Sequence, residues 1–143
     1  MQVPPLSLLF YRQMLRITLA VATGFLILSV LAIVTQVAML RYLFHTAPGM
    51  DVDLLPPAYY LAYAVVRIIY AILGGCVTAA IGKRYEAPTI LGALMMGTAI
   101  GNVVMRRGGE PIWYSALVGL VIAIAAIMAG YRWLGRIPEP APK

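Results

Sequence analysis

Acidic side chains are scarce in this 143-residue chain. There are five, Asp51, Asp53, Glu86, Glu110 and Glu139, and all fall in stretches that separate or follow the apolar runs. No run therefore carries a carboxylate, the kind of ionisable group that proton-coupled transport ordinarily places inside the membrane. Histidine and cysteine occur once each, as His45 and Cys76. One chain cannot assemble a zinc site of ordinary composition from them, and no internal disulfide can form, which leaves the redox compartment unread. His45 could serve as an axial ligand to a haem or chlorophyll, but a lone interfacial histidine is more simply read as solvated. The Asp51-Val52-Asp53 pair likewise reads as a solvated loop before it reads as a cation site. No nucleophile stands beside a base, and no glycine-rich phosphate loop is present. The expectation is a protein that is not an enzyme and carries no cofactor and no metal.

What the chain has in abundance is apolar length. Its composition is 62% hydrophobic and 11% charged, with a mean hydropathy of +0.89, outside the range of a soluble domain. About 20 helical residues cross a hydrocarbon core of about 30 Å, and four runs meet that requirement, at about 17–40, 57–82, 87–105 and 111–134. The expected fold class is an all-α membrane protein with four transmembrane helices in an antiparallel up-down bundle, forming one domain over residues 17–135. Residues 1–16 begin with Pro4-Pro5 and mix apolar side chains with Arg12, Gln13 and Arg16. They form either an amphipathic segment in the membrane interface or the first turns of helix 1. The 24-residue run that follows exceeds the roughly 7–15 residues of a signal h-region, so it reads as an uncleaved first helix. The tail, residues 136–143, is proline-spaced and expected to be disordered.

The connections carry the topology. Pro48-Gly49 and Pro56-Pro57 bound a loop after helix 1, and Pro57 suits a helix N-terminus, where its missing N–H costs nothing. Lys83-Arg84-Tyr85-Glu86 is too short for anything but a hairpin. One side then holds seven basic residues, Arg12, Arg16, Lys83, Arg84, Arg132, Arg136 and Lys143, and the other holds three, Arg41, Arg106 and Arg107. By the positive-inside rule both termini are cytoplasmic. Basic residues at helix ends suit lipid head groups and topology signals, so the net charge of +6 does not imply nucleic acid. Tyr59, Tyr60, Trp113 and Tyr114 at one end and Tyr85, Tyr131 and Trp133 at the other fit interfacial aromatic belts.

Two patterns inside the helices suggest contacts. Small residues four apart let membrane helices approach closely, and they occur as Ala71, Gly75 and Ala79, as Ala93, Gly97 and Gly101, and as Ser115, Gly119 and Ala123. Gly75, Gly97, Gly101 and Gly119 are the candidate packing positions, within one chain or between chains. Arg67 lies within helix 2 on a stripe with Tyr60, Tyr63, Tyr70, Gly74 and Val77. A charge inside an apolar run costs several kcal/mol, about 3 on insertion scales, and asks for a partner or a purpose. Gln36, Thr98 and Asn102 fall at similar depth on helices 1 and 3. Arg67, Gln36, Asn102, Tyr63 and Tyr70 are thus the candidate ligand-binding set. In the alternative, Arg67 is satisfied by Gln36, Asn102, a carbonyl, Asp51 or Asp53 and holds the bundle in register.

From Tyr70 onward the run YAILGGCVTAAIGKRYEAPTILGALMMG, followed by EPIWYSALVGLVIAIAAIMAG, resembles a loose group of small uncharacterised bacterial membrane proteins. The matching positions are Gly74, Gly75, Pro111, Trp113 and Tyr114. The resemblance covers the C-terminal half and implies four helices and a bacterial inner membrane, without an activity. Small multidrug resistance transporters also have four helices but depend on a glutamate in helix 1, which this chain lacks. The expected function is a small multi-pass inner-membrane protein, a structural or accessory component of a membrane assembly. Its expected partners are the bilayer and either copies of itself or a larger membrane complex. The alternative is a binding or transport protein for a small anionic or amphipathic ligand centred on Arg67.

Overall fold

The computed structural model describes residues 6–43, 55–105 and 111–136. These residues are helical with no strand among them, and four of the helices are long and apolar enough to cross a membrane. They are α1 (Leu6–Ala38), α2 (Pro57–Gly82), α3 (Glu86–Met105) and α4 (Ile112–Leu134), with a wider π-type turn, Met39–Leu43, prolonging α1. The expectations for Asp51, Asp53, His45, Arg106, Arg107, Glu110 and the tail beyond Arg136 lie outside the described residues.

Local chemistry accounts for the helix limits. Pro57 occupies the first turn of α2, and Lys83, in the left-handed conformation at φ 53°, ends it by donating its N–H to the Ala79 carbonyl at 2.8 Å. Pro111 precedes α4 in an extended conformation. Glu86, expected in a loop, is the first residue of α3. An acidic side chain there faces the positive end of the helix dipole and is favoured. Residues 6–16 are continuous with the rest of α1, which takes the second of the two readings of that stretch. At about 1.5 Å per residue, the 33 residues of α1 span well beyond a hydrocarbon core.

Small residues set the packing. Contacts pair α1 with α2 in opposite chain senses: Arg16 with Ile81, Gly24 with Thr78, and Thr35 with Tyr70. α2 runs beside α4 in the same sense, from Tyr60 on Tyr114 to Gly75 on Ala126. α3 and α4 pair in opposite senses, from Gly92 on Ile127 to Gly119 on Ala99. α1 and α4 have no close backbone approach among the described residues. The helices therefore ring the bundle in the order α1, α2, α4, α3, with space between α1 and α4.

One sequence expectation about faces changes and another is narrowed. Tyr59, Tyr60 and Tyr114 are only 2%, 5% and 1% exposed, so they are core residues and not an interfacial belt. Tyr60 packs on Tyr114 with ring centroids 5.2 Å apart, and Tyr59 meets Tyr60 edge to face at 5.4 Å. Trp113, Tyr131, Trp133 and Tyr85 do remain exposed. On α3, a Cβ added at Gly97 or Gly101 would meet nothing within 4 Å, whereas at Gly75 it would meet the Ala126 carbonyl and at Gly119 the Ala99 side chain. The α3 ridge containing Gly97 and Gly101 makes no packing contact within the chain. The buried face of α3 is instead Pro88, Leu91, Gly92, Met95 and Ala99, because Gly92 fits against Ile127 at 2.5 Å.

Candidate functional site

Arg67 is the eleventh residue of α2, about 15 Å of rise from its start. The stripe it belongs to faces inward, and two neighbours on that stripe are tied to α1. Tyr70 shares a 2.6 Å hydrogen bond with Thr35 Oγ1. The Tyr63 hydroxyl stands 3.4 Å from both the Ala32 carbonyl and Gln36 Oε1. The Arg67 guanidinium lies 5.6 Å from the centroid of the Tyr63 ring, a cation–π contact that is worth more once desolvated. Arg67 has contacts beyond Tyr63 as well.

Beside it the helices leave a cleft of about 190 Å³. Its wall comes from Phe25, Leu28, Ser29 and Ala32 on α1, Arg67 and Tyr70 on α2, Met95 and Thr98 on α3, and Ile122 on α4. The cleft lies where α1 and α4 make no close backbone approach, with side chains of all four helices on its wall. Leu28, Met95 and Ile122 are buried, while Thr98 sits on the more exposed side of α3 and marks the edge nearest the surroundings. The Thr98 hydroxyl donates to the Met95 carbonyl at 2.8 Å, so its oxygen can still accept from a ligand. The site combines a permanent positive charge and hydroxyls with apolar walls.

The expected set divides. Arg67 and Tyr70 line the cleft. Tyr63 is buried beneath Arg67 and Gln36 approaches Tyr63, so both support the guanidinium without lining the cleft. Asn102 is exposed and does not line it; it lies one helical turn beyond Thr98, past the cleft's end. Ser29 and Phe25 were missed. Their signal was present in the sequence, because Phe25, Leu28, Ser29 and Ala32 recur at one-turn spacing on a single face of α1.

Elsewhere the single cysteine, Cys76, is half-buried with its sulfur 3.9 Å from the Ala129 carbonyl. Among the described residues no group of His, Cys, Asp or Glu could hold a metal ion. Compared with known proteins, the chain matches no family model, no curated protein and no solved structure. Four apolar helices are compatible with a small multi-pass membrane protein, and any role must be argued from the site itself.

Proposed function

We propose that this protein is a multi-pass membrane binder, or carrier, of a small organic anion or of the charged end of an amphiphile. The observation that carries the reading is the cleft at Arg67. A guanidinium is charged at every physiological pH and offers a planar fork of donors to a carboxylate or phosphate. Phe25, Leu28, Met95 and Ile122 give an attached hydrocarbon a place to lie. At about 190 Å³ the space exceeds an apolar cavity of about 150 Å³ that accommodates benzene, so it suits a benzene-sized or short-chain acid. The proposed setting is an up-down bundle in a cell inner membrane with both termini cytoplasmic. The basic-residue asymmetry of the sequence supports that setting.

The test is thermal unfolding of the detergent-solubilised full chain with benzoate or hexanoate, against the neutral benzyl alcohol and hexanol. The acids raise Tm and the alcohols do not; at a hundredfold excess over Kd the gain is about 2.7 kcal/mol. Arg67→Gln removes the gain, and Arg67→Lys keeps only part of it because the ammonium lacks the fork. Equal responses to acid and alcohol, or a full response in Arg67→Gln, overturn the reading.

The accessory-component reading retains one specific support. The ridge of Ala93, Gly97 and Gly101 on α3 is open and small, and it faces away from the chain's own core. Small residues at that spacing let a second helix approach closely. Chemical cross-linking in native membranes separates the two readings: a defined homo-oligomer or stoichiometric partner favours the accessory role.

A further inference from the structure

At the end of the molecule away from the tyrosine core, Arg12, Gln13 and Arg16 of α1 face Gly82, Lys83 and Arg84 at the α2–α3 turn across a groove of about 320 Å³. Four cations from two separate parts of the chain line it. Two of them are positioned by the fold. Arg16 Nε donates to the Ile81 carbonyl at 2.7 Å, at the negative end of the α2 dipole. The Arg84 guanidinium stands 3.8 Å from Glu86 and against the Gln13 amide, whose oxygen accepts from it once the amide is turned over. Arg12 and Lys83 form no ion pair among the described residues. Glu86 is therefore the one described carboxylate set against four positive charges.

Lys83 adds a separate observation. It is the single non-glycine residue with positive φ among the described residues, at 53°. Glycine takes that helix-ending conformation without the steric cost a Cβ brings. A lysine here keeps an ammonium at the groove at the expense of backbone comfort. Apolar surface continues from the groove along α1. Leu19 follows Arg12 and Arg16 at helical spacing, and Leu26 lies two turns further; both are exposed, at 55% and 64%.

We infer that this groove is a binding site for the phosphate head group of an anionic glycerophospholipid, with its acyl chains laid along Leu19 and Leu26 of α1. Four cations suit a head group carrying two phosphates better than one. Basic pockets between transmembrane helices recognise such head groups, and arginine forks bind phosphate bidentately. This site is distinct from the Arg67 cleft and stands without it.

The experiment is native mass spectrometry of the full-length protein in a mild detergent. The probes are tetraoleoyl cardiolipin, dioleoyl phosphatidylglycerol, dioleoyl phosphatidylcholine and inorganic phosphate. Cardiolipin binds most tightly, phosphatidylglycerol next, and phosphatidylcholine and inorganic phosphate weakly. Removing one cation costs about fivefold in cardiolipin affinity, and the Arg12→Gln/Lys83→Asn double variant about 30-fold. Asparagine tolerates the left-handed conformation, so Lys83→Asn keeps its melting temperature without lipid, which separates lost binding from lost folding. Arg132→Gln/Arg136→Gln, in a second groove beside Cys76, leaves cardiolipin affinity unchanged. Three results overturn the inference: no preference for anionic over zwitterionic lipid, inorganic phosphate binding as well as lipid, or an equal loss in the Arg132/Arg136 variant, which would mean general surface charge.

Discussion

Single glycines carry much of the close approach in this bundle. At Gly75 an added Cβ would run into the Ala126 carbonyl, backbone that cannot rotate away. Gly75→Ala should therefore destabilise the bundle by about 1–3 kcal/mol, the usual cost of overpacking, in thermal or denaturant unfolding in detergent. The same test applied to Gly74, where the added Cβ would meet the Leu28 side chain, should show a smaller loss because Leu28 can change rotamer. Tyr70 offers a different lesson. Its hydroxyl bonds Thr35 at 2.6 Å, and hydrogen bonds between membrane helices are worth about 0.6 kcal/mol. Tyr70→Phe should accordingly leave unfolding nearly unchanged while weakening acid binding at the cleft, a separation that shows the hydroxyl acting on ligand and not on fold.

Among the elements, α2, α3 and α4 were legible in the sequence almost to the residue, because proline, a basic turn or glycine closes each of them. The start of α1 was not. Arg12 and Arg16 suit an interfacial segment as well as the first turns of helix 1; the helix runs through them, and Arg16 Nε donates to the Ile81 carbonyl at the end of α2. The tyrosines near helix ends were equally ambiguous, because a ring suits both an interfacial belt and a core, and only packing distinguishes Tyr114 from Trp113. The cleft was half legible: the stripe through Arg67 and Tyr70 was visible, while its opposite wall depended on which face α1 turned inward. α3 carries small residues on two faces, Gly92 and Ala99 on one and Gly97 and Gly101 on the other, and spacing alone could not choose. The structure turns Gly92 and Ala99 inward, so Gly97→Ile should shift monomer unfolding by no more than about 0.5 kcal/mol, as for an ordinary surface change. A loss of several kcal/mol would mean that α3 is rotated. If α3 joins copies of the chain, the same substitution abolishes cross-linked dimer without loss of fold.

For the whole molecule, charge and packing bear on the same question from different directions. Arg12, Arg16, Lys83 and Arg84 gather around one groove, and Tyr85 meets Tyr131 edge to face with ring centroids 5.1 Å apart, which brings the α2–α3 turn and the end of α4 together. Arg132 and Arg136 are therefore at the same end as the groove. In the proposed membrane setting, the positive-inside rule would put that end in the cytoplasm. Reporter fusions test the assignment: a fluorescent protein at either terminus should fluoresce, and alkaline phosphatase at either terminus should be inactive. Opposite signals at the two termini would require an odd number of crossings and would remove one of the four helices from the membrane. Replacing Arg12, Arg16, Lys83 and Arg84 together by glutamine leaves three of the seven basic residues on that side, level with the three opposite. The variant should then insert in both orientations, and a mixed reporter signal would show that the groove's charges orient the chain.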